Sequence, residues 1–197
     1  FINEFYDDME WNALAMLRAF EATGDEKYKD AVETVWADIK TGWNTTMGGG
    51  IAWRKAMPYY KNTPANAPDA ILAARLYKKF NKADDLEWSK KIYTWLRQNL
   101  FNQNTGWVYD GMNSNNDGQT NTTWKFTYNQ GTFIGAAVEL YTITNDQGYL
   151  NDALKAANFA LTDNGITNFD DNLLRDEGGG DGGLFKGVFV RYLTQLI

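Results

Sequence analysis

The sequence predicts an all-α protein assembled from repeated helical hairpins. Three observations carry this. A helix–turn–helix unit recurs about every 58 residues, judged by aligning Phe20, Tyr77, Tyr141 and Leu193. Short polar breaks punctuate each unit at Gly24-Asp25, at Asn81 to Asp85 and at Asn145-Asp146. No strand-rich block interrupts the 197 residues.

The elements follow in order. Ala13, Leu14, Leu17 and Phe20 stand at helical spacing from Trp11 to Thr23. Gly24 stops that helix and Asp25 caps the next, which runs from Glu26 to Lys40 with Val32, Val35, Trp36 and Ile39 on one side. Ala70 to Phe80 and Leu86 to Leu100 form the second pair, and Gly131 to Thr142 and Tyr149 to Leu161 the third. A fourth first-helix begins near Leu184 and reaches Ile197. Hairpins of this period stack as a solenoid or close into a toroid. Long loops (Thr41 to Pro68, Phe101 to Gln130, Thr162 to Gly183) follow the second helix of each pair. They exceed the usual helix connection of about 2–8 residues, so they are expected to gather at one end and build a cleft. Gly50 to Trp53 and Trp107 to Tyr109 are expected to form small β-hairpins within them.

Composition narrows the chemistry. The chain has no His and no Cys, which removes imidazole acid–base work, thiol nucleophiles and the usual zinc ligands. The 19 Lys+Arg against 25 Asp+Glu argue against a nucleic-acid partner. Carboxylates are left as the acid–base candidates. Eight Trp and 15% aromatics, many in polar Gly-rich stretches, suit a carbohydrate partner or an aromatic core. No apolar run approaches the roughly 18 residues of a membrane span, and the N-terminus lacks the pattern of a signal peptide.

Tyr6-Asp7-Asp8 precedes the first helix. Helix capping explains such a pair, and so does a catalytic site in which like-charge repulsion splits the two carboxyls into a proton donor and a base or nucleophile. Gly48 to Trp53 lacks the Lys-Ser/Thr of a phosphate loop and reads better as a tight turn presenting Trp53. Tyr60-Lys61-Asn62 and Asn66 offer an aromatic face and amides, or simply loop packing, with Pro64 and Pro68 stiffening the entry to the third helix. Tyr128-Asn129-Gln130-Gly131 opens the fifth helix in the same manner. Asp110-Gly111 is a turn or a sugar-hydroxyl acceptor. Asp176 to Gly183 does not match an EF-hand loop and reads as flexible. Phe185-Lys186-Gly187 then starts the last helix and aims Lys186 at the cleft or at solvent.

Taken in order, Tyr6-Asp7-Asp8 with Trp11, Gly48 to Trp53, Tyr60-Lys61-Asn62 with Ala65-Asn66, Tyr128 to Gly131 and Phe185 to Gly187 resemble glycoside hydrolase family 76, the α-1,6-mannanases of bacteria and fungi. The set spans nearly the whole chain, and Lys61 to Asn66 looks like the bacterial, Bacteroidetes-type branch. Ala52 departs from the pattern, where many members carry a second aromatic. The resemblance implies an (α/α)6 barrel, of which residues 1–197 would supply about three and a half hairpins as one partial catalytic domain. Further helices would stand before the Asp pair and after the Phe-Lys-Gly motif; an open ring exposes apolar helix faces at both ends, which missing sequence or a partner is expected to cover. It implies retaining endo-hydrolysis of α-1,6-linked mannan or manno-oligosaccharides, without cofactor or metal, by a secreted, periplasmic or cell-surface enzyme. Asp7 is the implied nucleophile and Asp8 the acid/base. Tyr6, Trp53, Asn62, Asn66, Asp110, Tyr128, Asn129, Gln130 and Lys186 are the implied sugar-binding residues. Transglycosylation by the same family, or carbohydrate binding without catalysis, are the alternative readings.

Overall fold

The computed structural model describes residues 1–197. Seven helices dominate: α1 (Tyr6–Thr23), α2 (Glu26–Lys40), α3 (Ala67–Phe80), α4 (Ala83–Asn99), α5 (Thr127–Thr144), α6 (Gln147–Thr162) and α7 (Gly182–Leu196). Each hairpin turn has the same cause. Gly24, Asn81 and Asn145 adopt left-handed φ values of 70°, 55° and 56°, and each returns its N–H to a carbonyl four residues back, on Phe20, Tyr77 and Tyr141. These acceptors are three of the residues that align the repeat in the sequence. Asp25 and Asp146 then cap α2 and α6 by accepting from the N–H groups of Lys27 (3.1 Å) and Gly148 (2.8 Å). Lys82 occupies the same place before α4 and brings no side-chain acceptor.

α1, α3, α5 and α7 lie side by side as an inner row, and α2, α4 and α6 back the first three as an outer row. The burial patterns follow from these positions. α2 buries one stripe of Val32, Val35, Trp36 and Ile39. α5 is flanked on three sides, and every residue from Asn129 to Leu140 is buried. Gly131 has no room for a side chain: a Cβ there would lie 2.5 Å from the Cα of Phe189 on α7. One apolar cluster runs continuously through the inner and outer rows. No helix is long and apolar enough to cross a membrane.

The helices begin earlier than periodicity predicts. α1 includes Tyr6-Asp7-Asp8, α3 starts at Ala67 and α5 at Thr127, because their first turns are made of polar or small residues that read as loop. The second break shrinks to Asn81 and Lys82 for the same reason. The hairpin expected at Gly50 to Trp53 is present: β1 (Ala52–Arg54) and β2 (Met57–Asn62) pair antiparallel, with Ala52 opposite Lys61. The expected hairpin at Trp107 to Tyr109 is not. Val108 makes one bridge to Phe101, and the third strand is β3 (Gly111–Met112), paired to β2 through Asn62 and Gly111. Exposed apolar side chains occur at Phe1 and Ile2 and, on α7, at Leu184 and Val190.

Candidate active site

The small sheet locks the start of α1. Phe5 bridges Arg54, and Glu4 accepts from the backbone N–H groups of Lys55 (2.9 Å) and Ala56 (2.7 Å). This places Trp53 over the first turn of α1, where its indole N–H donates to Asp7 Oδ2 at 3.0 Å. Phe5 and Tyr60 hold the indole edge-on at centroid distances of 5.3 and 5.7 Å, and the Arg54 guanidinium sits 5.0 Å from it.

Asp7 and Asp8 line a cavity of about 360 Å³ together with Trp11, Pro64, Tyr128 and Phe185. That volume lies in the range of small-ligand sites. Tyr128 and Phe185 stack at 3.9 Å and 21°, giving one wall a flat aromatic surface. Arg191 of α7 also lines the cavity.

The two carboxyls differ in surroundings. Asp8 is exposed, whereas Asp7 is half-buried and accepts from the Asp8 backbone N–H at 3.0 Å as well as from Trp53. Burial, and then the charge of Asp8, push the Asp7 carboxyl from the ordinary 3.8 up to about 6, against the opposing pull of the Trp53 hydrogen bond. An indole N–H can only donate, so it favours the charged form of Asp7 and fixes one of its oxygens. Neither aspartate is the N-cap residue; both stand in the first turn of α1, where Asp7 takes the free N–H of Asp8, so a helix-start role coexists with their place at the cavity.

Asp110 stands one layer back. It is buried and accepts from Tyr60 Oη (3.3 Å), Tyr128 Oη (3.2 Å) and Asn129 Nδ2 (3.0 Å). Burial pushes its carboxyl up, while these three donors pull it down. Asp110 thus ties Tyr60, which packs on Trp53, to Tyr128 on the cavity wall.

The other expected sugar-binding residues are placed differently. Asn66 is fully buried: its Oδ1 accepts from Ile51 N–H (2.7 Å) and its Nδ2 donates to the carbonyls of Ile51 and Asn62 (both 2.8 Å). Gln130 is fully buried and holds the Val108 N–H and the carbonyls of Gly106 and Ala156. Asn62 accepts from the Ala65 N–H at 3.2 Å. These amides shape the loops around the cavity. Tyr6 is buried, with its hydroxyl 3.4 Å from Thr41 Oγ1 and its ring against Gly42. Lys186 lies half-buried near Glu177 and is not on the cavity wall. Of the nine, Tyr128 reaches the cavity and Trp53 reaches Asp7.

Three features escape the sequence. Lys61 is fully buried, gives its Nζ to the Gly50 carbonyl at 2.7 Å, and is lowered by burial to about 7. Glu177, in the stretch expected to be flexible, reaches across to accept from the Thr127 N–H at 2.7 Å and its hydroxyl, capping α5 from outside. Glu10 and Asp69 are fully buried carboxyls beneath the site. An acidic residue in a polar stretch normally reads as solvated, and only the packing of distant segments shows otherwise.

Solved structures share this architecture. A protein of Listeria innocua matches at TM-score 0.94 with 49% identity, over 100% of this chain and 56% of its own. An α-1,6-mannanase of Salegentibacter sp. HEL1_6, in an inactive variant with two adjacent aspartates changed to alanine and bound to α-1,6-mannotetraose, matches at TM-score 0.94 with 44% identity, over 99% of this chain and 57% of its own. A mannan endo-1,6-α-mannosidase of Candida glabrata is 28% identical over 151 residues, 70% of this chain and 34% of the relative. The chain thus spans about a third of the curated relatives and just over half of the solved ones. The model of glycosyl hydrolase family 76 matches residues 1–197, and the chain belongs to that family.

Proposed function

We propose that this chain performs retaining, endo-acting hydrolysis of α-1,6-linked mannan, with Asp7 as nucleophile and Asp8 as acid/base. The observation that carries the reading is the adjacent pair at the cavity, one carboxyl held by Trp53 and the other free to reach a leaving group. The Salegentibacter relative supports it, since that protein is inactive when two neighbouring aspartates are replaced and still holds an α-1,6-mannoside.

The division of roles follows the adjacent-aspartate pattern of the family, and each carboxyl acts in turn. Asp7, ionised above about pH 6, attacks the anomeric carbon while Asp8 protonates the departing glycosidic oxygen. The C–O bond to the leaving chain breaks and a mannosyl ester forms on Asp7. Asp8, now a carboxylate, takes a proton from water, and the oxygen of that water replaces Asp7 at the anomeric carbon. Two inversions give net retention. The stacked Tyr128–Phe185 wall offers an apolar face to a sugar ring. A polymeric mannan substrate places the enzyme outside the cytoplasm.

The test is release of reducing ends from linear α-1,6-mannan by the purified protein. Asp7→Asn and Asp8→Asn should each remove it. Near-wild-type release by either variant would overturn that residue's role.

A further inference from the structure

Asp7 shares its face of α1 with a second carboxyl. Glu10 follows three residues later, and helical residues at that spacing lie one above the other. Glu10 is fully buried, and so is Asp69 on α3, the helix beside α1. Their carboxyls lie within hydrogen-bonding reach of each other. None of the four oxygens receives a hydrogen from any other group. Two carboxylates would offer only acceptors to one another and would bury two like charges together. A proton between them removes both problems. Asp69 stands at the third residue of α3, where the helix dipole favours negative charge, so the proton belongs on Glu10 and the charge on Asp69. Burial, then the charge of Asp69, raises Glu10 well above its usual value, and burial raises Asp69 against the downward pull of its bond from Glu10, in keeping with a retained proton.

We propose that Glu10 and Asp69 share one proton and act as a positioning pair for Asp7, fixing a single buried negative charge beneath the attacking carboxylate. The role rests on the reading of Asp7 as nucleophile. During attack, positive charge develops at the anomeric carbon and Asp7 becomes a neutral ester. A fixed anion below the site favours both changes. The other charged or titratable groups around Asp7 are Asp8 on α1, Arg54 on β1, Tyr60 on β2, Asp110 before β3, Tyr128 on α5, and Asp181 and Arg191 at α7. Facing the pair itself is Tyr192 of α7. Arg75, the nearby cation on α3, is committed to Glu139. None of these replaces the pair as a buried anion beneath α1.

Two readouts test this independently of turnover. Infrared spectra of the wild-type protein at pH 7 should show a buried protonated carboxyl that Glu10→Gln removes. Carboxyl ¹³C NMR, with Asp7 assigned through Asp7→Asn, should give an unchanged Asp7 midpoint in Glu10→Gln, which keeps the charge on Asp69. In the double variant Glu10→Gln/Asp69→Asn the midpoint should fall by about one pH unit, as expected of a unit charge within roughly 10 Å. The same double variant should lose about tenfold in kcat with KM little changed. Absence of the infrared band, or a double-variant midpoint at the wild-type value, would overturn the pair. If the double variant does not fold, the infrared comparison of wild type and Glu10→Gln decides. Should the midpoint move while kcat does not, the shared proton stands and its catalytic role fails; failure of Asp7 as nucleophile is read separately, as reducing-end release by Asp7→Asn.

Discussion

The Trp53 indole N–H bonds the Asp7 carboxylate at 3.0 Å across 46 positions of sequence. This contact joins the β1–β2 hairpin to the first turn of α1, and so couples a glycine-rich loop to the chemistry. Replacing Trp53 by Phe keeps the packing on Phe5 and Tyr60 but deletes the donor. Because that hydrogen bond lowers the Asp7 pKa, its loss should move the acid limb of kcat/KM to higher pH and cost about ten- to a hundredfold in rate. A pH–rate profile of Trp53→Phe reads both effects.

The wild-type profile has its own expected limb. Asp7 must be charged to attack, so kcat/KM should fall as pH drops through about 6. A limb near 4 in rate measurements from pH 4 to 8 would show that the half-buried position of Asp7 does not govern its ionisation.

Stability should show the opposite sign of benefit. Asp7 has a folded pKa of about 6 against an ordinary 3.8, so the folded state binds the extra proton between these values. Its contribution to stability is therefore lost as pH rises from about 4 to 6 and is missing above. Asp7→Asn should stabilise the protein by about 1–3 kcal/mol at pH 7 and by almost nothing at pH 4. Urea unfolding at the two pH values checks this.

Lys61 gives a second linkage. Burial lowers it to about 7, below the ordinary 10.5, so the unfolded chain binds more protons between these values. Stability should climb as pH rises from 7 to 9. Lys61→Met should flatten that climb, as measured by denaturant midpoints across the same range.

Asn66 is expected to be the costliest of the buried amides. Asn66→Ala would leave both the N–H and the carbonyl of Ile51 without their partner inside the protein, at about 2–4 kcal/mol. Thermal and urea unfolding test it, and loss of the loop that carries Trp53 should lower activity alongside.

The hairpin plan was legible because its signals are local. Gly24-Asp25 and Asn145-Asp146 combine a left-handed stop with an N-cap in two adjacent residues, and the stripe on α2 repeats every turn. The candidate site was legible only as motifs. Tyr6-Asp7-Asp8 and Tyr128 to Gln130 looked like loop because helix starts are polar, although they form the first turns of α1 and α5. The resemblance implies sugar-binding roles for Asn66 and Gln130, and nothing in their sequence neighbourhood shows that the groups they bind are the backbone of Ile51, Asn62, Val108, Gly106 and Ala156. Glu10, Asp69 and Lys61 carry no local mark of burial at all. Their environment is made by helices and strands that meet only in three dimensions.

Retaining endo-hydrolysis is read by ¹H NMR of the anomeric signals as the purified protein acts on linear α-1,6-mannan. New internal cleavage products are expected, whose reducing ends appear first as the α-anomer and then mutarotate. First appearance of the β-anomer, or no new reducing ends, would contradict it.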